Sequence, residues 1–231
     1  MKYIIVGLGN FGASLAEKLT AQGNEVMGID TSMDKVDRFK EKISHTICMN
    51  ATDETTVAGL PLEDTDVVIV AIGEDHGANI MTTALFKNLK VKRLISRAVS
   101  ELQQNVLEAM GVDEIIHPEE ESAERWSNKL SMSNVVDSFE LSDKFSIIEI
   151  NVPEEYIDQT IMEVGFRDKY RLLVLTTIKQ IEVNSILGHG RIENKVQGVA
   201  DSKTVLRKDD ILVLYGAKKD LEQFINQKKR K

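Results

Sequence analysis

Tyr3-Ile4-Ile5-Val6-Gly7-Leu8-Gly9-Asn10-Phe11-Gly12 is the stretch on which the fold turns. Ile4, Ile5 and Val6 are β-branched in succession, which suits a strand buried on both faces. The three glycines that follow have the spacing of a phosphate-binding turn that opens a helix. Gly7 permits the tight turn, Gly9 lets a pyrophosphate approach the backbone, and Gly12 lets the helix lie close on the strand. The unpaired N–H groups of the first helical turn, which includes Asn10 and Phe11, then face the phosphate.

Working outward, residues 2 to about 130 alternate short β-branched runs with amphipathic segments, the pattern of βαβ units around a parallel sheet. Strands are expected at Tyr3–Val6, Glu25–Ile29, Thr46–Met49, Val67–Ile72, Arg93–Ser96 and Glu114–His117. Helices are expected at Gly12–Gln22, Met33–Lys42, Asn79–Leu89, Asn105–Met110 and Ala123–Leu130. This is an α/β chain with a Rossmann-type, doubly wound parallel sheet of six strands. Beyond Asn134 the rhythm changes to strands near Phe145–Val152, Leu172–Ile178 and Ile211–Tyr215, with a short helix near Ile157–Val164 and a last one at Lys219–Gln227. The expected organisation is a nucleotide-binding domain over 1–132, a linker over 133–140, and a small α+β ligand domain over 141–231.

Ligands of open α/β sheets bind beyond the carboxyl ends of the strands. Asp30 ends the second strand, 18 residues after Gly12. There a carboxylate accepts hydrogen bonds from both ribose hydroxyls of an adenosine and repels a 2′-phosphate. NAD(H), ATP, ADP or AMP is therefore expected ahead of NADP. Asn50, Ala51, Thr52 and Asp53 follow the third strand and are placed to meet adenine edges. Ala71, Ile72 and Gly73 follow the fourth and offer small side chains and exposed backbone near ribose and phosphate. For each of these the alternative is a turn or a helix cap.

Several function classes are disfavoured. A net charge of −8 argues against nucleic acid, whose phosphates need a basic surface. No run of about 20 apolar residues is present, so a soluble chain is expected. Met1 leads straight into the first strand without a signal-peptide pattern, which suggests the cytoplasm. Cys48, the single cysteine, is expected to be an inert thiol in a buried strand. His45, His76, His117 and His189 show neither metal-ligand spacing nor a nucleophile motif, so the crevice lacks an acid–base set. Sensing is expected rather than catalysis. The terminal Lys228–Lys231 run reads as a solvated helix end favoured by the helix dipole, with acidic lipid or a transporter loop as the alternative contact.

Along nearly its whole length the chain resembles the RCK proteins of bacterial potassium transport, the TrkA and KtrA type. The resemblance rests on the Ile5–Gly12 loop together with Glu25–Asp30, Asn50–Asp53, Val67–Gly73, Val106–Gly111 and Ile115–Glu119, and on Val205–Gly216 in the second domain. It implies a homo-oligomer, from a dimer up to an octameric ring, lying at the inner face of the cell membrane. The ring would dock there on a potassium-translocating subunit of the TrkH or KtrB type. It also implies gating by adenine nucleotide, ATP and ADP in KtrA-like members and NAD(H) in TrkA-like ones. KtrA-like chains usually carry Arg at the position of Asn10, where it helps to hold terminal phosphates, so Asn10 weakens the ATP assignment. By resemblance, Glu119 lies near the nucleotide and helps bind a cation at a dimer interface, and Arg97 reaches a phosphate or a neighbouring subunit. Some relatives bind cyclic di-AMP in the second domain; Ile161 and Lys169–Arg171 would line that cleft, although Arg171 stands where those members tend to have Gly.

Overall fold

The computed structural model describes residues 1–131, 135–184 and 190–226. The chain divides into two compact units, Met1–Glu121 and Ser122–Lys231.

The first unit runs β1 (Lys2–Val6), α1 (Asn10–Ala21), β2 (Glu25–Asp30), α2 (Met33–Phe39), β3 (His45–Cys48), α3 (Glu54–Val57), β4 (Val67–Val70), α4 (His76–Asn88), β5 (Leu94–Arg97), α5 (Glu101–Ala109) and β6 (Glu114–Ile116). All six strands are parallel, in the order β3-β2-β1-β4-β5-β6. The order reverses between β1 and β4, which opens a crevice at their carboxyl ends. Because successive side chains of a strand point to opposite faces, Ile5, Val67 and Ile69 join Ala13 and Ala16 of α1 and Val36 of α2 in one core layer. Ile4, Val6, Val68 and Val70 join Val57 of α3 and Phe86 of α4 in the other. Each fully buried Ile, Val or Phe contributes about 1.5–3 kcal/mol, so this double layer makes the central strands the most firmly held part of the unit.

A long helix α6 (Pro118–Ser131) follows β6. It begins earlier than the expected Ala123 because proline suits the first helical position and Glu119, Glu120 and Glu121 favour the positive end of the helix dipole.

The second unit contains β7 (Val135–Glu140), β8 (Phe145–Asn151), α7 (Ile161–Val164), α8 (Phe166–Tyr170), β9 (Leu173–Asn184), β10 (Gly190–Val196), β11 (Ile211–Ala217) and α9 (Lys218–Asn226). Its strands form an antiparallel sheet in the order β10-β9-β11-β8-β7. Val164, Phe166, Leu221 and Phe224 of its helices pack on Ile148, Ile150, Val174, Leu212 and Leu214 from one sheet face. The expected linker over 133–140 is corrected here: Val135–Glu140 is a strand that pairs along β8, and the boundary between units falls at Glu121/Ser122 rather than after 132. The Lys228–Lys231 run and His189 lie outside the described residues.

Candidate functional site

At the end of β1 the backbone turns sharply, with Gly7 at φ 99° and its N–H donating to the Ile29 carbonyl (2.7 Å). Gly12 faces the Gly7 carbonyl so closely that a Cβ there would overlap the oxygen, and the same Cβ would press on Ala71. Gly9 differs from both. It is the N-cap of α1 at an ordinary φ of −74°, and a Cβ added to it would meet nothing within 4 Å. Neither backbone strain nor protein neighbours require a glycine there. The side of Gly9 is open space beside a helix start that has no side-chain cap and no acid in its first turn.

Asp30 lies opposite this opening, at the end of β2. Its Oδ2 accepts from Leu8 N (2.8 Å) and its Oδ1 from Ser32 N (2.9 Å), so its carboxylate is fixed by backbone on either side of the crevice mouth. Lys35 from α2 reaches Oδ2 at 3.4 Å. Oδ2 thus already takes two donors, whereas Oδ1 takes one and can accept a further bond, which leaves capacity for a hydroxyl donor of a ligand.

Gly7, Gly9, Asn10 and Phe11 line a cleft of about 510 Å³ together with Asp30. Asn50, Ala51 and Thr52 enter from β3, where Asn50 Oδ1 is already engaged by the Thr52 N–H (3.0 Å) and hydroxyl (2.9 Å). Ala71, Ile72 and Gly73 enter from β4, Arg97 from β5 and Glu119 from the start of α6. Two expected residues are not on this lining. Gly12 acts from behind, by letting α1 approach β1. Asp53 caps α3, accepting from Thr55 N at 2.9 Å.

Arg97 lies across Gly73, where a Cβ would collide with its guanidinium. It donates to the Ala71 carbonyl (3.3 Å) and forms a two-pronged ion pair with Glu119. Glu119 therefore has Arg97 as its partner, and among the described residues no group of three His, Cys, Asp or Glu side chains could hold a metal ion. Behind this corner, fully buried Asn79 donates to the carbonyls of Ile72 (2.9 Å) and Arg97 (3.1 Å), tying the ends of β4 and β5 together.

Sequence reasoning missed Thr31, Lys35 and Met49 at the Asp30 end, and Glu74, Asp75, Ala78 and Thr82 beyond Gly73. Their signal was position: each stands within a turn or two of a strand's carboxyl end. Thr82 is fully buried, yet its hydroxyl has no protein partner. Cys48 corrects an expectation: on edge strand β3 its thiol is exposed, with Sγ 3.4 Å from the Thr31 carbonyl. The histidines do not converge. His45 stands 3.8 Å from Glu25, His117 stands 3.9 Å from Glu120, and none of the described histidines lines the cleft.

Residues 3–118 match the family model of the TrkA-N domain. The chain belongs to the TrkA-N family. Within it, the chain is 31% identical over 225 residues to Ktr system potassium uptake protein C of Bacillus subtilis (strain 168), covering 96% of this chain and 95% of the relative. It is also 31% identical to Ktr system potassium uptake protein A of the same organism, covering 98% and 96%. The TrkA-N match covers the first half of the chain, and the likeness to Ktr proteins, of the KtrA-type RCK kind, extends over nearly its full length. Among solved structures, the GsuK RCK domain superposes with a TM-score of 0.64 at 18% identity, over 97% of this chain and 46% of that one. A GsuK channel bound to NAD superposes with 0.63 at 18%, over 95% and 38%. At such identities the likeness is one of fold. Among the described residues no helix is long and apolar enough to cross a membrane.

In the second unit, Tyr170 turns into an aromatic cluster, its ring 4.9 Å from that of Phe224 and its hydroxyl 2.7 Å from that of Tyr156. Burial and the shared hydrogen bond push the Tyr156 phenol well above its ordinary pKa. Ile161 opens α7 against the same core, and Lys169 is exposed. Arg171 sits at φ 57°, the left-handed region that favours glycine.

Proposed function

We propose that this chain is a regulatory subunit that binds an adenine nucleotide in the crevice between β1 and β4 and thereby controls potassium uptake through a membrane partner, without consuming the nucleotide. The observation that carries the reading is Gly9, a glycine with no structural cause, open on the one side from which a pyrophosphate would reach the first turn of α1. The residues fit such a ligand. The Asp30 carboxylate is held ready for ribose hydroxyls, and the orphaned Thr82 hydroxyl lines the same cleft. Two relatives named as Ktr potassium uptake proteins share nearly the whole length, and a channel of the same fold is described as NAD-bound. By the same reading the chain works as a homo-oligomer, a dimer or a ring of up to eight copies. It would dock at the inner face of the membrane on a potassium-translocating subunit of the TrkH or KtrB type. A nucleotide shifts such an assembly only by binding one of its shapes more tightly, and a coupling of about 1–3 kcal/mol suffices.

The test is calorimetric titration of the nucleotide-free protein with ATP, ADP, AMP, NAD⁺ and NADH, repeated on Gly9→Ala and Asp30→Asn. At least one nucleotide should bind, unchanged after long incubation. Gly9→Ala should lose about tenfold or more in affinity, about 1.4 kcal/mol, while its unfolding free energy stays within about 1 kcal/mol of the parent. Absence of binding by every nucleotide would leave the glycine loop a structural turn and refute the reading.

A further inference from the structure

The net charge of −8 is unevenly divided along the chain. Met1–Glu121 holds 11 Lys and Arg against 20 Asp and Glu, whereas Ser122–Lys231 holds 18 against 17. Within the second unit the cations gather at one corner. Helix α8 and the residue after it supply Arg167, Lys169 and Arg171, all exposed, with Asp168 as the one acid among them. Arg93, Arg97, Arg125 and Arg207 each hold a carboxylate, but among the described residues the side chains of Arg167, Lys169 and Arg171 hold none. Arg171 also sits at φ 57°, a conformation that glycine adopts without strain. Neither an ion pair nor backbone geometry accounts for an arginine there. Four more cations, Lys228, Lys229, Arg230 and Lys231, follow α9. That helix lies against α8, with the Phe224 ring 4.9 Å from the ring of Tyr170 and 5.5 Å from that of Phe166. Lys228 comes four residues after Phe224, and so short a stretch of chain spans at most about 14 Å, so the run starts close to α8.

We propose that α8 and the run after α9 form a surface for anionic lipid headgroups, by which the second unit attaches to a bilayer directly. The inference goes beyond the nucleotide reading and does not require it. Arg167 and Lys169 stand two residues apart on a helix and so project to opposite sides. A single bound anion needs donors that converge, whereas a plane of headgroups meets dispersed, exposed charges equally well. Clusters of about 4–8 Lys and Arg are drawn to an anionic leaflet by roughly fivefold per charge, within about a Debye length of its surface. The apolar face of α9 stays in the core, where Leu221 and Phe224 are buried, so the attachment is electrostatic and reversible rather than an insertion. The same field repels the acidic first unit, so attachment depends on the basic corner of the second.

The experiment is flotation of the full chain, free of nucleotide, with vesicles of phosphatidylcholine alone and of phosphatidylcholine with about one-third phosphatidylglycerol, at low and at high salt. The parent should bind the anionic vesicles about tenfold or more tightly than the neutral ones, and the difference should shrink as salt screens it. Two variants separate the parts: Arg167→Gln with Arg171→Gly, and Lys228→Gln with Lys229→Gln, Arg230→Gln and Lys231→Gln. Each should bind the anionic vesicles about fivefold or more weakly than the parent, with its melting temperature unchanged. Equal binding to both kinds of vesicle, indifference to salt, or undiminished binding by either variant would overturn the proposal. Tighter binding to a polyglutamate peptide than to the anionic vesicles, compared at equal charge, would overturn it too and assign the surface to an acidic protein segment. If a variant is poorly folded, the parent's dependence on lipid charge and salt decides alone.

Discussion

Replacing Asp30 by alanine tests whether its carboxylate organises the crevice mouth even without a ligand. The substitution removes the acceptor of Leu8 N (2.8 Å) and of Ser32 N (2.9 Å). Leu8 is 2% exposed, so water cannot replace the first bond, and leaving that N–H unpaired costs about 1–3 kcal/mol. Ser32 is only half-buried, and its loss is about 0.5–1.5 kcal/mol after water takes over. The Lys35 contact adds little, because that side chain is 40% exposed. Together the loss is about 2–4 kcal/mol in the unliganded protein. At about 2–4 °C per kcal/mol it lowers the melting temperature of the first unit by roughly 5–15 °C. Far-UV circular dichroism during urea unfolding measures it. Fluorescence of Trp126, the single tryptophan and a member of the second unit, reports whether that unit's own transition is affected. Asp30→Asn, which keeps one acceptor oxygen, should fall between parent and alanine. A loss below about 0.5 kcal/mol for Asp30→Ala would refute the argument, since it would show that the loop between Gly7 and Ser32 holds its shape without the carboxylate.

Gly12→Ala places a methyl group on the Gly7 carbonyl, and the resulting displacement of α1 should cost about 3 kcal/mol or more, read as a lowered urea midpoint or loss of soluble protein. In the second unit, the hydrogen-bonded Arg125 guanidinium holds the Asp137 carboxyl below its ordinary range. Its contribution is therefore present above about pH 4 and is lost as pH falls through the depressed folded value. Because the pair is largely exposed, Asp137→Asn should cost under about 1 kcal/mol at pH 7 and nothing in acid, as checked by denaturant midpoints across pH. Arg171→Gly should leave the second unit as stable or up to about 1 kcal/mol more so, since φ 57° strains a side-chain-bearing residue by more than glycine's extra unfolded-state freedom costs. Thermal melts followed by Trp126 fluorescence provide the check, and a clear loss of stability would count against this account of strain.

The core of the first unit was legible because burial on both faces writes continuous apolar runs: Ile4–Val6 and Val67–Val70 needed no context to be recognised as strands. The strands that escaped notice, β7 and β10, are the two edges of the second sheet. An edge strand pairs on one side only, and Gly190–Val196 carries Arg191, Glu193, Asn194 and Lys195, which hides its register from a hydrophobicity pattern. Cys48 failed for the same reason in reverse: its β-branched neighbours suggested burial, but β3 closes the sheet and leaves the thiol at the rim. At the candidate site, Gly7 and Gly12 were readable because backbone geometry demands glycine there, Gly9 by its spacing from them, and Asp30 by its place at the end of β2. Arg97 and Glu119 were each named only through the resemblance, and not as partners; Lys35, Glu74 and Asp75 were not found, because side chains on helix starts reach the crevice through the fold and leave no periodic trace.

The two sides of the crevice differ in what a ligand could change. Asp30 is held by backbone N–H groups, and exchanging those partners would require unwinding the turn after Gly7. Arg97 is held by side-chain contacts alone, an exposed glutamate and one carbonyl, which can be traded for others without breaking the sheet. Its backbone is meanwhile pinned by the buried Asn79, so a change of partner moves the guanidinium and Glu119 rather than β5. A ligand alters an equilibrium only through contacts that differ between two states. On the proposed reading, the Asp30 side would meet a nucleotide in the same way in any state, which would supply affinity. The Arg97 side would meet it through exchangeable contacts, and through Glu119 it is connected to the first turn of α6. That reading therefore assigns affinity and response to opposite ends of one crevice.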